Sequence, residues 1–442
     1  MAKKAADRKK RLMGFSIFMI IVGVVLVVAG VLSVRNAVHK KTPAEGYGEY
    51  LFDNGSKQFD LDLFPSLVID KDATQLKIMQ IADPQIKFGG FPKRDRKTMS
   101  LLEQAIKTQK PDLCVVTGDL TLSVFTYDAF KYFADFMQKM DVKWAFVYGN
   151  HDAQFDCSKY TICNLLKSYE NCLFAAGPSD VYGESNYLIN VFKGEKKAEN
   201  LAYSLVMLDS GMYPTESADL TDWVYDWIHQ SQMDWYTWAI HGLQSVKPDV
   251  QTSMFFHIPT KEFANMYYLH QLQQGKEVSQ TVKAQLPNVE VSQVRGTVCE
   301  SDKNPDEYVY GDEGYTVGIY YQGNAAGVTD HPDVFGYVKD LGSTKGIFCG
   351  HDHTNTLKGY YDGVFLGYGL CCGYHTYPYF DNEWFGTKWL GLSDKVLYNG
   401  SLWKDEFGNV LEKGVTIIDV SLQTENYGAL TVTDKGVSEL GE

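Results

Sequence analysis

No two of the eight cysteines are spaced as a CxxC pair, so the chain lacks the pattern of a structural zinc site. No stripe of Lys and Arg follows residue 110, and the net charge is -14. A nucleic-acid polymer needs a basic face, so none is expected as a partner. There is no internal repeat, and no disorder-type composition away from the termini. The 442 residues are 45% hydrophobic and 22% charged, an ordinary globular balance with enough chain for a large core. The acidic balance leaves an anionic substrate open, because bound cations can supply local positive charge.

Residues 14–34 form an uncharged apolar run of 21 residues, long enough to span a bilayer. Lys3, Lys4, Arg8, Lys9, Lys10 and Arg11 precede it; Arg35, Lys40 and Lys41 follow. That asymmetry puts the N-terminus in the cytoplasm and the body outside, as a single-pass protein of the cell membrane. A cleaved signal peptide is the alternative, although the run exceeds the usual apolar region of about 7–15 residues. An external body permits disulfides, and Cys157, Cys163 and Cys172 are the candidates. Cys114 and Cys349 fall in apolar runs and are expected as buried small hydrophobes.

After a linker and entry segment over 35–75, the chain alternates. Residues 76–83, 112–119 and 143–150 read as strands, and 98–110 and 127–140 as helices, which implies βαβ units and a mainly parallel sheet. Later strands are expected at 185–192, 202–210, 252–259, 345–350 and 363–369. Residues 221–244, with Trp223, Trp227, Trp235 and Trp238, read as a packed helix. The irregular stretch 260–345 reads as an insertion over the active site, and the end of the chain as a closing hairpin.

Polar clusters stand at five strand ends: Asp83-Pro84-Gln85, Gly118-Asp119, Gly149-Asn150-His151-Asp152, His257, and Gly350-His351-Asp352-His353. Each alone is ordinary. Asp83 and Asp119 could cap helices, Asn150-His151-Asp152 could form a turn, and His257 could be a core histidine. Together they supply carboxylate, imidazole and amide groups, the donor types that hold a pair of divalent ions about 3.5–4 Å apart for phosphate-ester hydrolysis. His229, His241, His270, His331 and His375 lack such company.

In this order, IADPQ, VVTGDL, YGNHD, FFHIP and GHDH resemble the motifs of the calcineurin-like metallophosphoesterase superfamily, over about residues 76–370. The resemblance implies a four-layer α/β/β/α sandwich, here preceded by one transmembrane helix. It implies two divalent ions, of manganese, iron or zinc, and hydrolysis of a phosphate ester by a metal-activated hydroxide. Asp83, Gln85 and His353 would hold the first ion, Asp119 would bridge, and Asn150, His257 and His351 would hold the second. His151 would contact the phosphate and protonate, or stabilise, the leaving group, with Asp152 fixing its tautomer. The family's first motif normally carries His where this chain has Gln85, a neutral and harder ligand. Leu122 stands where purple acid phosphatases carry a ligating Tyr, so a ferric-tyrosinate centre is not expected. The segment from 350 to the Tyr-rich stretch after it still resembles the purple-acid-phosphatase-like branch.

The expected organisation is a basic cytoplasmic tail over 1–13, an anchor over 14–34, the entry segment over 35–75 and the catalytic domain over 76–442. The substrate class is a small phosphoester or a phosphoprotein, monoester or diester. A non-catalytic or weakly active surface metal-binding protein on the same fold is the alternative, favoured by Gln85 alone.

Overall fold

The structure, a computed structural model, describes residues 16–31, 33–34, 48–89, 92–213, 225–298, 322, 331–376 and 412–440. It is a mixed α/β fold with two sheets. After helix α1 (residues 16–31) the elements are β1 (Ser66–Ile69), β2 (Gln75–Ile81), α2 (Pro92–Gln109), β3 (Leu113–Thr117), α3 (Thr126–Lys139), β4 (Trp144–Val147), α4 (Lys159–Leu166), β5 (Tyr187–Lys193) and β6 (Leu201–Met207). They continue with α5 (Gln230–Val246), β7 (Thr252–Phe255), α6 (Lys261–Gln273), α7 (Gln280–Gln285), β8 (Val291–Arg295), α8 (Val334–Leu341), β9 (Thr344–Cys349), β10 (Lys358–Tyr361), β11 (Val364–Tyr368), β12 (Gly414–Ser421), β13 (Leu430–Gly436) and α9 (Val437–Leu440).

The five-stranded sheet has the order β13-β12-β2-β3-β4. β3 and β4 are apolar and buried throughout, as befits parallel strands covered on both faces. α3 buries Ala129, Phe130, Phe133, Ala134 and Met137, one stripe at helical spacing. Parallel pairing sets Ile81 beside Val116 and Thr117 beside Val147. The carboxyl ends of β2, β3 and β4 therefore lie level.

The eight-stranded sheet runs β1-β5-β6-β7-β9-β11-β10-β8, with β6, β7, β9 and β11 parallel. Phe255 pairs with Phe348, which brings the ends of β7 and β9 together. The two sheets touch through their buried faces. Gln80 of β2 donates from Nε2 to Cys349 O of β9 at 2.8 Å, and Tyr187 Oη of β5 donates to Phe146 O of β4 at 2.8 Å. This packing puts the ends of β7 and β9 against those of β2, β3 and β4.

Several expectations change. Residues 48–75 are part of the packed body: β1 pairs with β5, and Tyr50, Phe52, Phe59 and Phe64 gather around Trp238. The helix expected over 221–244 begins at Gln230, and Trp223 lies outside the described residues. Within 260–345, β8 extends the eight-stranded sheet as its edge, pairing with β10; residues 299–321 and 323–330 lie outside the described residues. β10 was not anticipated. It forms a hairpin with β11 across Asp362-Gly363, both at positive φ of 46° and 80°, as the tightest hairpin turns require.

The seven described cysteines are buried free thiols, so the disulfide expected among Cys157, Cys163 and Cys172 is not formed. Each has its own packing: Cys163 Sγ meets Tyr148 Oη at 3.2 Å, and Cys172 bridges to Trp144. α1 exposes nearly all its side chains, yet among the described residues no helix is long and apolar enough to cross a membrane. Residues 14, 15 and 32 of the expected span lie outside the described residues.

Candidate metal centre

All seven expected ligands follow strand ends, and the structure brings them into one cluster. Around one position, Gln85 Nε2 lies 3.1 Å from His353 Nε2 and 3.4 Å from Asp119 Oδ2, and His353 Nε2 lies 3.4 Å from Asp83 Oδ1. Around a second, Asn150 Oδ1 lies 3.1 Å from His257 Nε2 and 3.0 Å from His351 Nδ1, and those ring nitrogens are 3.3 Å apart. His257 Nε2 is also 3.4 Å from Asp119 Oδ1. Asp119 thus turns one carboxylate oxygen toward each group. Ligand atoms of Asp83, Asp119 and His257 all fall within 4.8 Å of one another.

Tight strand-end turns make this convergence possible. Asp83, Gln85, Asp119 and His351 all have positive φ, at 52°, 44°, 48° and 76°. Non-glycine residues there cost on the order of 1 kcal/mol or more each, a cost typical of functional sites. Two glycines are needed for space. A Cβ on Gly118 would stand 2.5 Å from His257 Nδ1, and one on Gly149 2.2 Å from the Asp119 amide nitrogen.

The donor set fits cations. His257 Nδ1 lies 2.8 Å from Thr117 O, which assigns a proton to Nδ1, and its Nε2 faces the oxygens of Asn150 and Asp119 and the Nδ1 of His351. Acceptors facing acceptors in a buried pocket repel unless a positive charge sits among them. A proton can play that part. Burial opposes charging His257, but the Asp119 and Asp83 carboxylates outweigh it and raise the imidazole to about 9. Burial and the neighbouring His257 drive His351 well below the usual histidine range. Asp119 is held low, against its burial, by His257 and His151. A divalent ion would replace such a proton directly. Gln85 presents its amide nitrogen; as a ligand it would turn its amide by half a revolution to present oxygen.

His151 is set apart from the ligands. Its backbone N–H donates to Asp119 Oδ1 at 2.9 Å, while its ring, with 23% of the side chain exposed, holds Nε2 3.8 Å from Asp119 Oδ2. The expected partnership with Asp152 is absent. Asp152 accepts from the amides of Gly149 at 2.7 Å and Thr121 at 3.1 Å, closing the turn beneath the histidine. Burial, then Asp119, pushes its carboxyl pKa well above the usual range. The ring's partner is Gln154, whose Oε1 lies 2.8 Å from His151 Nδ1. Gln154 Nε2 donates to Tyr213 Oη at 3.3 Å, and Asn150 Nδ2 donates to the same oxygen at 2.9 Å. Neither Gln154 nor Tyr213 was anticipated. Gln154 belongs to no motif, but Tyr213 follows the polar end of β6, Asp209-Ser210-Gly211, the kind of strand end that marked the other clusters. His229 and His375 pair with Asp226 and Asp95, outside this cluster.

A family model described as calcineurin-like phosphoesterase matches residues 76–355. "Probable inactive purple acid phosphatase 29" of Arabidopsis thaliana is 26% identical over 332 residues, which is 69% of this chain and 73% of that protein. "Phosphatase DCR2" of Saccharomyces cerevisiae is 26% identical over 309 residues, 65% of this chain and 45% of its own length. Among solved structures, a dimetal phosphatase from Danio rerio aligns with a TM-score of 0.41 at 12% identity, covering 82% of this chain and 96% of its own.

Proposed function

The chain belongs to the calcineurin-like phosphoesterase family, and from that footing we propose that it is a two-metal hydrolase of phosphate esters. The observation carrying this reading is the buried convergence of polar side chains from both sheets around Asp119, with the partly exposed ring of His151 beside it. Two divalent ions bound there would neutralise the ester and lower the pKa of a water nucleophile. Asp83, Gln85 and His353 would hold one, Asn150, His257 and His351 the other, and Asp119 both. The oxygen and nitrogen donors suit manganese, iron or zinc. His151 Nε2 delivers a proton to the leaving oxygen, a role typically contributing about 10²–10⁴-fold. Gln154 accepts the Nδ1 proton, so the ring keeps Nε2 toward the ester.

The layers read as a four-layer α/β/β/α sandwich. The substrate is a small phosphoester or a phosphoprotein met outside the cytoplasm, the body being held at the membrane by 14–34. The charge asymmetry around that run supports this topology.

One observation favours a weakly active or non-catalytic metal binder: Gln85 puts a neutral amide at the first position, where the family's motif normally carries His. Purified full-length protein in detergent, assayed on p-nitrophenyl phosphate with and without added manganese, separates the two readings. Metal-dependent turnover that Asp119→Asn abolishes is the expected result. No turnover on any mono- or diester, with ions bound, would establish the binder instead.

A further inference from the structure

The hydroxyl of Tyr213 is held at the edge of the second cation position by two amides. Asn150 donates to it from Nδ2 at 2.9 Å, and Gln154 from Nε2 at 3.3 Å. Both contacts use the oxygen's acceptor capacity, which for a phenol is two lone pairs. The hydroxyl proton is therefore directed to a third partner. The ring is fixed as well: it stacks on Tyr225 with centroids 5.8 Å apart, and Tyr225 stands edge-on to His351 at 4.3 Å. Asn150 is grouped with His351 and His257, and Gln154 with His151. The hydroxyl thus lies between the ligands of the second position and the proton donor.

We propose that Tyr213 is a further catalytic residue, whose phenolic proton hydrogen-bonds a non-bridging oxygen of the substrate's phosphoryl group. This rests on the phosphoesterase reading above. No bond to Tyr213 forms or breaks; its donor is aimed at an oxygen on which negative charge accumulates in the transition state. The two amides hold that donor in place before substrate arrives.

Orthophosphate is the direct probe, titrated by calorimetry into manganese-saturated full-length protein. Wild type should bind it, and Tyr213→Phe should bind about 10- to 100-fold more weakly, the usual loss for one hydrogen bond to a charged group. The kcat for p-nitrophenyl phosphate should fall by a similar factor, with little change in melting temperature, because the ring and its stack remain. If the hydroxyl only braced Asn150, the variant would lose manganese affinity but bind orthophosphate normally once saturated, and the proposal would be overturned. Should Tyr213→Phe melt early, 3-fluorotyrosine placed at position 213 keeps the hydroxyl. Its fluorine resonance should then shift on orthophosphate addition, and no shift would sink the idea. Wild type that binds manganese but no orthophosphate defeats the phosphoesterase reading itself. A wild type that binds while Tyr213→Phe binds equally defeats only the role of Tyr213.

Discussion

The Asp119 carboxylate has one oxygen toward Gln85 and the other toward His257; it also accepts from the backbone N–H of His151, just past β4, whose ring Nε2 stands 3.8 Å away. Adjacent side chains at the end of a strand leave on different sides, which turns Asn150 toward His257 and His351 and leaves the His151 ring partly exposed beside the cluster. Gln154 then decides which nitrogen of His151 is presented. Gln154→Ala should lower kcat about tenfold or more, within the range of an impaired proton donor. The loss should be larger for an alkyl phosphate than for p-nitrophenyl phosphate, whose leaving group needs little protonation. Gln154→Glu, which can still accept from Nδ1, should restore most of the rate. Equal losses on both esters, with no recovery in the Glu variant, would show that Gln154 only stabilises the turn. The seven clustered side chains and His151 could be singled out from strand-end motifs, because residue type and order survive in the sequence. The partner of His151 could not. Asp152 is the nearer carboxylate, but it is consumed by the amides of Gly149 and Thr121, a choice made by turn geometry alone.

At the level of elements, apolar runs located β2, β3, β4, β7 and β9 because these strands are buried along most or all of their length. β1, β8 and β10 were missed. β1 and β8 leave side chains exposed to solvent, and β10, Lys-Gly-Tyr-Tyr, has no apolar run. The Asp362-Gly363 turn was a usable hairpin signal that went unread. The entry segment earns its place through aromatic packing. Trp238 of α5 contacts the rings of Tyr50, Phe52, Phe59 and Phe64, and donates from Nε1 to Lys57 O at 2.7 Å. Trp238→Ala should therefore destabilise the protein by about 3 kcal/mol in urea unfolding, as for other large aromatic truncations. A loss under about 0.5 kcal/mol, the usual surface value, would return residues 48–64 to the status of a loose linker.

Across the whole molecule, the centre exists only when both sheets are in place: Asp83, Gln85, Asp119 and Asn150 come from one, and His257, His351 and His353 from the other. Ion binding should thus be linked to the stability of the assembled body. Manganese at about 100 times its dissociation constant should add roughly 2.7 kcal/mol for each site filled, and excess chelator should lower the melting temperature accordingly; an unchanged melting curve would deny the linkage. The proposed topology has its own check: in intact cells, protease added outside should digest the body, and full protection would reverse the orientation read from the basic tail. The most direct measurement of the central account is the metal content of purified protein after manganese loading, wild type beside Asp119→Asn. Two ions per chain in the wild type, both lost together in the variant, is the result that a shared bridging carboxylate predicts. Two ions retained at wild-type affinity in Asp119→Asn, or none bound by the wild type, would contradict it.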